Sequence, residues 1–369
     1  MSKARKTTLA VIAAILGVIV LAVVIFLCAY ATRLKTVSSI EKLSAYEDGW
    51  DLYAMDIQYK YDLQDLIGKE VTTDAEMFGS IFDVAMPLLP ITPETPDFGC
   101  TAFQLTTTDG TQLMGRNYDF SHNTSAMLVK CSPEDGYKSI AFAALDNVSA
   151  NQPFVSTTKK LTTLTTPFLC LDGLNEKGVS IAVLVVDSEP MLQDTGRGNL
   201  FTTLVIRLVL DKAATTQEAV DLISQYDIVA SAGKDYHFYI NDASGDGRVV
   251  EWDCDSPTRE MVVTPVDAVT NFYTIYADKV EPYQHNGIYG HGKERYEFVK
   301  EVFAQQEGEY TVTTAWDALK AAAQTPEEGE ITSNTQWSIV FDNTNLTAEV
   351  VIRRNWEDTF KFDIDGNLL

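Results

Sequence analysis

Leu9 to Tyr30 is an almost unbroken run of Ala, Val, Ile, Leu and Phe, and no charged residue occurs from Thr7 to Thr32. About 20 apolar residues span a bilayer as a helix, whereas a cleaved signal peptide usually has an apolar core of roughly 7–15. The run is read as an uncleaved signal anchor through residues 9–30, with a long signal peptide as the alternative. Beyond it, Ser38–Ala45 and Tyr53–Leu66 mix Leu, Ile and Tyr with charges in a helical manner. Residues 34–99 are therefore expected to be a helical unit that packs on the catalytic core, since Trp50, Tyr53, Tyr59, Tyr61, Phe78 and Phe82 would otherwise leave a large apolar surface in water. It closes with Pro87, Pro90, Pro93 and Pro96, whose three-residue spacing stops helix and strand and predicts an extended linker.

After Phe98 the pattern becomes β-rich. Thr101–Thr107 and Thr111–Gly115 flank Asp109-Gly110, a strong hairpin signal. Phe168–Leu171 and Val179–Val186 flank the turn Asn175–Gly178, and Tyr236–Asn241 and Arg248–Trp252 flank Gly245–Gly247. Met261–Val263 reads as a strand, and Trp337–Asp342 with Thr347–Arg353 as a closing hairpin. Asn199–Lys212, Thr216–Ser224 (opened by Thr215 or Thr216 as cap), Glu294–Gln305 and Thr314–Ala323 have helical patterns. Hairpins bracketing a helical block predict an α+β layering of antiparallel sheets rather than βαβ alternation. The expected units are 1–33, the cytosolic tip and anchor; 34–99, the pro-segment and linker; and 100–369, the catalytic domain.

Composition excludes several classes. With 46% hydrophobic residues in 369, the chain can bury a core and is not disordered throughout. A net charge of −24 argues against nucleic acid as a partner. The first 33 residues run against that balance, carrying Lys3, Arg5, Lys6 and Arg33 and no acid. Counting the charges that flank the apolar run leans towards a cytosolic N-terminus and an extracytoplasmic body in a single-pass protein. Cys28, inside the run, lacks a small residue just before it and reads as a buried hydrophobe rather than a lipidation site. The sequence carries no signal of oligomeric state.

Cys100, Cys131, Cys170 and Cys254 lie in the body, an even count that allows two disulfides. The four His have no zinc-ligand spacing, so no metal and no cofactor is expected. GxSxG, P-loop and GxGxxG motifs are absent from the sequence. The stretch Phe98-Gly-Cys-Thr-Ala-Phe103 followed by Gly115-Arg-Asn-Tyr-Asp-Phe120 is more specific. A hairpin turning at Asp109-Gly110 returns Arg116 and Asp119 beside Cys100. A guanidinium lowers the pKa of a neighbouring thiol and raises its nucleophilic fraction. On spacing alone, Cys100 is a candidate nucleophile, with a buried thiol or a disulfide half as the alternative.

Five motifs in order, over some 260 residues, resemble the cysteine N-terminal-nucleophile amidases. These include choloylglycine (bile salt) hydrolase, penicillin V acylase and the acid ceramidase relatives. The motifs are Cys100-Thr, Gly115-Arg-Asn-Tyr-Asp119, Asp172-Gly-Leu-Asn-Glu-Lys-Gly178, Thr270-Asn271, and Arg295 in Glu-Arg-Tyr; the closing strand Thr335–Asp342 is similar too. The resemblance implies a four-layer αββα sandwich that hydrolyses linear amide C–N bonds of small N-acyl amides. It implies Cys100 as thiol nucleophile, with its own α-amine as base. Arg116 and Asp119 would tune that pair, Asn271 would donate to the oxyanion with a backbone N–H near Val185, and Arg295 would add positive potential.

Asn175 reads instead as a structural turn residue suited to left-handed geometry. Two departures bear on function. Bile-salt and penicillin relatives usually carry a polar or aromatic residue where Val185 stands, which leaves the substrate open. Cys100 is also internal, so an α-amine requires cleavage of Gly99–Cys100. An acyltransferase passing the same thioester to an amine, or an unprocessed binding module, are the competing functions.

Overall fold

The strand-forming segments sort into two large sheets in the computed structural model, which describes residues 3–87, 98–150, 157–326 and 334–369. One sheet has nine strands in the spatial order Glu41–Lys42, Leu52–Asp56, Ala126–Cys131, Ser139–Ala144, Asp172–Asn175, Ser180–Val186, Asp235–Asn241, Gly247–Trp252 and Met261–Pro265. The other has six: Ala268–Val269, Phe98–Thr106, Gln112–Phe120, Asn334–Asp342, Thr347–Ile352 and Thr359–Asp363. Neighbouring strands in both are antiparallel except Leu52–Asp56, which runs parallel to Ala126–Cys131. The sheets meet where Phe98–Thr106 faces Ser180–Val186. Helix Thr202–Lys212 packs on the nine-stranded sheet, and helices Lys293–Gln305 and Val312–Ala322 on the six-stranded one. The result is a mixed α/β fold.

The hairpin at Asp109-Gly110 forms as its sequence dictates. Gly110 has φ +89°, a conformation that costs glycine little, and the register sets Cys100 opposite Tyr118 and Ala102 opposite Arg116. Helix Thr216–Ile223 is capped by Thr215, whose side chain accepts the Glu218 N–H, and Val312–Ala322 opens with a capping box at Thr311.

Three local expectations fail. Asn199–Phe201 is a strand paired with Asp227–Val229, and the helix begins only at Thr202. Thr163–Phe168 is a 3-10 helix, and the strand that follows is Asp172–Asn175. The expected helices in 38–66 are largely strands, Glu41–Lys42 and Leu52–Asp56, with a 3-10 turn at Leu63–Asp65. Leu52 to Met55 are all buried between neighbours, so neither face keeps a polar residue and the alternation that marks a strand is missing. The stretch packs against the rest of the chain. Leu52 and Met55, with Met77, Ile81 and Phe82 of helix Asp74–Ala85, share one core cluster with the rest of the chain. The Pro90–Pro96 part of the expected linker lies outside the described residues.

The apolar N-terminal run is a single helix, Lys3–Ser38, long and apolar enough to cross a membrane. Its apolar residues from Val11 to Leu27 are exposed, but its last turns dock on the body. Tyr30 donates its hydroxyl to Pro87 O at 2.6 Å, and Arg33 donates to Ala85 O at 2.7 Å and Val84 O at 2.6 Å. These carbonyls end helix Asp74–Ala85, where a cation also complements the helix dipole. The Arg33 guanidinium lies 5.1 Å from the Tyr59 ring centre. Arg33→Ala is expected to cost about 1.5–3 kcal/mol, the worth of charged hydrogen bonds, read as a lower midpoint in denaturant unfolding of the detergent-purified chain; an unchanged midpoint would show that the docking carries no stability.

Candidate active site

Strand Phe98–Thr106 lies between Ala268–Val269 and Gln112–Phe120, so Cys100 is held inside the six-stranded sheet and is 1% exposed. Three groups of this one residue are each engaged by a different side chain. Its Sγ is 3.0 Å from Arg116 Nη2, its N–H donates to Asn271 Oδ1 at 2.7 Å, and its carbonyl accepts from Arg295 Nη1 at 2.6 Å. Burial raises the thiol pKa, and the nearby Arg116 opposes that; Asp119 adds to the rise, and Arg295 also opposes it. The net direction is upward, so in the intact chain the thiol holds its proton at neutral pH.

Arg116 is fully buried and occupied on several sides. Nη2 also donates to Val183 O at 2.9 Å, Nη1 to Asn117 O at 2.5 Å, and Nε lies 3.4 Å from Asp172 Oδ2. Asp172 in turn accepts from Trp337 Nε1 at 3.1 Å, and Trp337 stacks on Tyr118 with ring centres 4.2 Å apart. Burial pushes the Asp172 carboxyl up to about 6, while Arg116 and the Trp337 N–H pull it back.

Asp119 is placed differently from the expectation that it would face the sulfur with Arg116. Side chains alternate across a strand, so Cys100, Ala102, Arg116 and Tyr118 share one face and Thr101, Asn117 and Asp119 the other. The contacts agree: Asn117 donates to Leu319 O in the covering helix, and Asp119 accepts from Thr335 Oγ1 at 2.6 Å and Gln324 Nε2 at 2.7 Å. Arg295 bridges the faces, 3.4 Å from Asp119 Oδ2 and 2.7 Å from Asn271 Oδ1. Asp119 also lies opposite Gly99 in the strand register.

Asn271 Nδ2 donates to Val185 O at 2.8 Å. The contact made by Val185 in the intact chain is thus through its carbonyl, as an acceptor. With two donors on Oδ1 and a carbonyl at Nδ2, the network fixes the orientation of this amide. The neighbouring backbone is tight: a Cβ on Gly290, at φ +106°, would sit 2.1 Å from Asn271 O. Asn175 lies apart. It is buried, its Oδ1 accepts the Lys177 and Val179 N–H groups, and its Nδ2 donates to Leu210 O and Ala213 O. Its turn role comes from these bonds rather than from a left-handed backbone, which Gly178 adopts at φ +79°.

Residues 100–258 match the family model of the linear amide C-N hydrolases, choloylglycine hydrolase family. This segment is similar to that family. The match begins at Cys100 itself. Among solved structures, the chain is similar to a mutant of the conjugated bile acid hydrolase from Clostridium perfringens, at 15% identity over 73% of this chain and 94% of that one, with a TM-score of 0.53. A second variant of that hydrolase gives 16% identity, 73% and 95% coverage, and a TM-score of 0.52. Penicillin V acylase from Agrobacterium tumefaciens gives 18% identity, 72% and 86% coverage, and a TM-score of 0.50. At such identities the likeness shows the fold. A comparison with curated proteins returned no match.

Sequence reading placed Cys100, Arg116, Asn271 and Arg295 together, and in the structure Arg116, Asn271 and Arg295 each contact Cys100. It missed Asp172 as the partner of Arg116, although the Asp172–Gly178 motif was visible, and it missed Gln324 and Thr335, which hold Asp119. Single polar residues far apart in the chain give no local signal of such a meeting. All five cysteines are free thiols, so neither disulfide allowed by the count is present. Among the described residues no cluster of His, Cys, Asp and Glu is arranged to hold a metal ion.

Proposed function

We propose that this protein is a membrane-anchored hydrolase of linear amide C–N bonds in small N-acyl amides, working through an N-terminal cysteine freed by scission at Gly99–Cys100. The observation that carries the reading is the separate engagement of the Cys100 sulfur, nitrogen and carbonyl by Arg116, Asn271 and Arg295. The packing order of helices, sheet, sheet and helices supports the four-layer αββα architecture of such enzymes.

Scission starts when the Cys100 thiol adds to the Gly99 carbonyl. The C–N bond breaks as the nitrogen takes a proton, leaving a thioester. Water then hydrolyses the thioester, giving a Gly99 carboxylate, a free thiol and a free α-amine. Gly99 has no side chain to hinder the attack.

In turnover the α-amine takes the thiol proton, and the thiolate attacks the substrate carbonyl. Arg116 stabilises the developing thiolate at Sγ. Asn271 Nδ2, tied to Val185 O before scission, turns to the oxyanion, joined by a backbone N–H near Val185. Collapse expels the amine, which takes its proton from the α-ammonium, and water clears the acyl-thioester. Arg295 holds Asn271 and the Cys100 carbonyl and links them to Asp119.

The exposed apolar helix supports an anchor, since so much apolar surface calls for cover. Lys3, Arg5 and Lys6 support a cytosolic N-terminus with the body outside. The test takes chain purified from membranes, assays a panel of N-acyl amides for released amine, and maps its N-termini by mass spectrometry. Amine release together with a chain starting at Cys100 is expected. Full activity from a chain intact across Gly99–Cys100 overturns the mechanism, because no α-amine would exist to act as base.

A further inference from the structure

Asn271 lies in a stretch, 270–275, that is gripped from the nine-stranded sheet by two polar side chains with no part in the chemistry above. His237 and Glu251 stand on the adjacent strands Asp235–Asn241 and Gly247–Trp252, both fully buried, with His237 Nδ1 3.4 Å from Glu251 Oε2. On the near side of Asn271, His237 Nε2 lies 2.8 Å from Thr270 O. On the far side, Glu251 accepts the Thr274 N–H at Oε2 and the Ile275 N–H at Oε1, both at 3.0 Å. A carbonyl only accepts, so Nε2 carries a proton and donates to Thr270 O.

A buried polar pair is a poor device for stability, because apolar residues of similar volume often serve as well or better. This pair does something apolar residues could not: it fixes the carbonyl just before Asn271 and two amides just after it. The direction of the Asn271 side chain follows from that backbone. Its Oδ1 meets Cys100 N and Arg295 Nη2, each at 2.7 Å, and its Nδ2 meets Val185 O at 2.8 Å. Misplacement of such a group by about 1 Å can cost on the order of 10²-fold in rate.

We propose that the His237–Glu251 pair is a positioning unit for Asn271 that keeps its amide in register with the nucleophile; the inference rests on the amidase reading above. The sharpest probe is Thr274→Pro, which deletes one N–H donor to Glu251 and leaves the buried pair intact. Thr274 opens the 3-10 helix Thr274–Lys279 after Tyr273 at φ −64°, ψ 120°, a setting that accepts proline.

In the full-length processed enzyme, Thr274→Pro is expected to lower kcat about 10-fold and Glu251→Gln about 10²-fold, with KM changed by less than about 2-fold. In an Asn271→Ala background each should cost less than about 2-fold, because residues acting through one group are not additive. An unchanged kcat for folded Thr274→Pro overturns the inference, as does an equal loss in the Asn271→Ala background. Thr274→Pro decides the matter if Glu251→Gln does not fold. Absence of amide cleavage by the wild-type chain would instead sink the amidase reading, and the positioning role with it.

Discussion

Cys100→Ala is expected to abolish both scission at Gly99–Cys100 and amide hydrolysis, the latter by on the order of 10⁴–10⁶-fold, the scale of losing a covalent nucleophile. Both steps use the same atom. In the proposed mechanism the thiol attacks its own upstream carbonyl, and then the substrate carbonyl with help from the amine that the first attack released. Burial raises the thiol pKa in the intact chain despite Arg116, so the sulfur is not a standing thiolate and depends on a base. Cys100→Ser separates chemistry from packing. A hydroxyl fits the site but is a weaker nucleophile with a far higher pKa, so both steps should slow greatly in a folded protein. Intact mass and amine release, measured side by side, check this. Wild-type turnover by Cys100→Ala would remove Cys100 from the mechanism altogether.

Arg116→Met should lose hydrolysis and also be the most destabilising change at the site, by about 3–5 kcal/mol at neutral pH. The reason is Asp172. It is fully buried, and its carboxyl is already pushed up to about 6 with the Arg116 Nε 3.4 Å away. Removing the guanidinium leaves a buried carboxylate with only the Trp337 N–H to receive it.

The sign of the pH dependence follows from linkage. A carboxyl whose pKa rises on folding binds more protons in the native state than in the unfolded one. Its penalty is therefore full above the folded value and fades as pH falls towards about 4, the ordinary aspartate value. Without Arg116, which pulls the carboxyl back, the folded value in Arg116→Met lies above the wild-type value of about 6, so the variant should regain stability relative to wild type as pH falls through its own value to about 6, below which both take up the proton alike. The double variant Arg116→Met/Asp172→Asn should recover most of the stability at pH 7 and none of the activity. Denaturant unfolding of variant and wild type at pH 8 and pH 6 tests the first claim, and amine release tests the second. Recovery of hydrolysis in the double variant would show that Arg116 serves only to neutralise Asp172.

The sequence by itself determined whatever rests on local chemistry. The apolar run fixed one long N-terminal helix. Asp109-Gly110 fixed a hairpin, and the hairpin fixed Arg116 beside Cys100, because antiparallel register is arithmetic once the turn is known. Thr215 set the start of the helix it caps, and helices near 293–305 and 312–322 followed from amphipathic spacing.

Tertiary structure decided the rest. Leu52–Met55 became an interior strand because its neighbours bury it on both sides, which erases the alternation that would have marked it. Asp119 fell on the face opposite the sulfur, a consequence of the pleat that spacing along the chain does not display. Asp172, Gln324 and Thr335 acquired their roles only when strands from distant parts of the chain paired. The same holds for His237 and Glu251, whose hold on Thr270, Thr274 and Ile275 exists only because one sheet packs over the other. Hydrophobic pattern and turn chemistry act over a few residues and are written in sequence order. Burial, pairing and the partners of buried charges are set by which surfaces meet, and that follows only from the whole chain packed together.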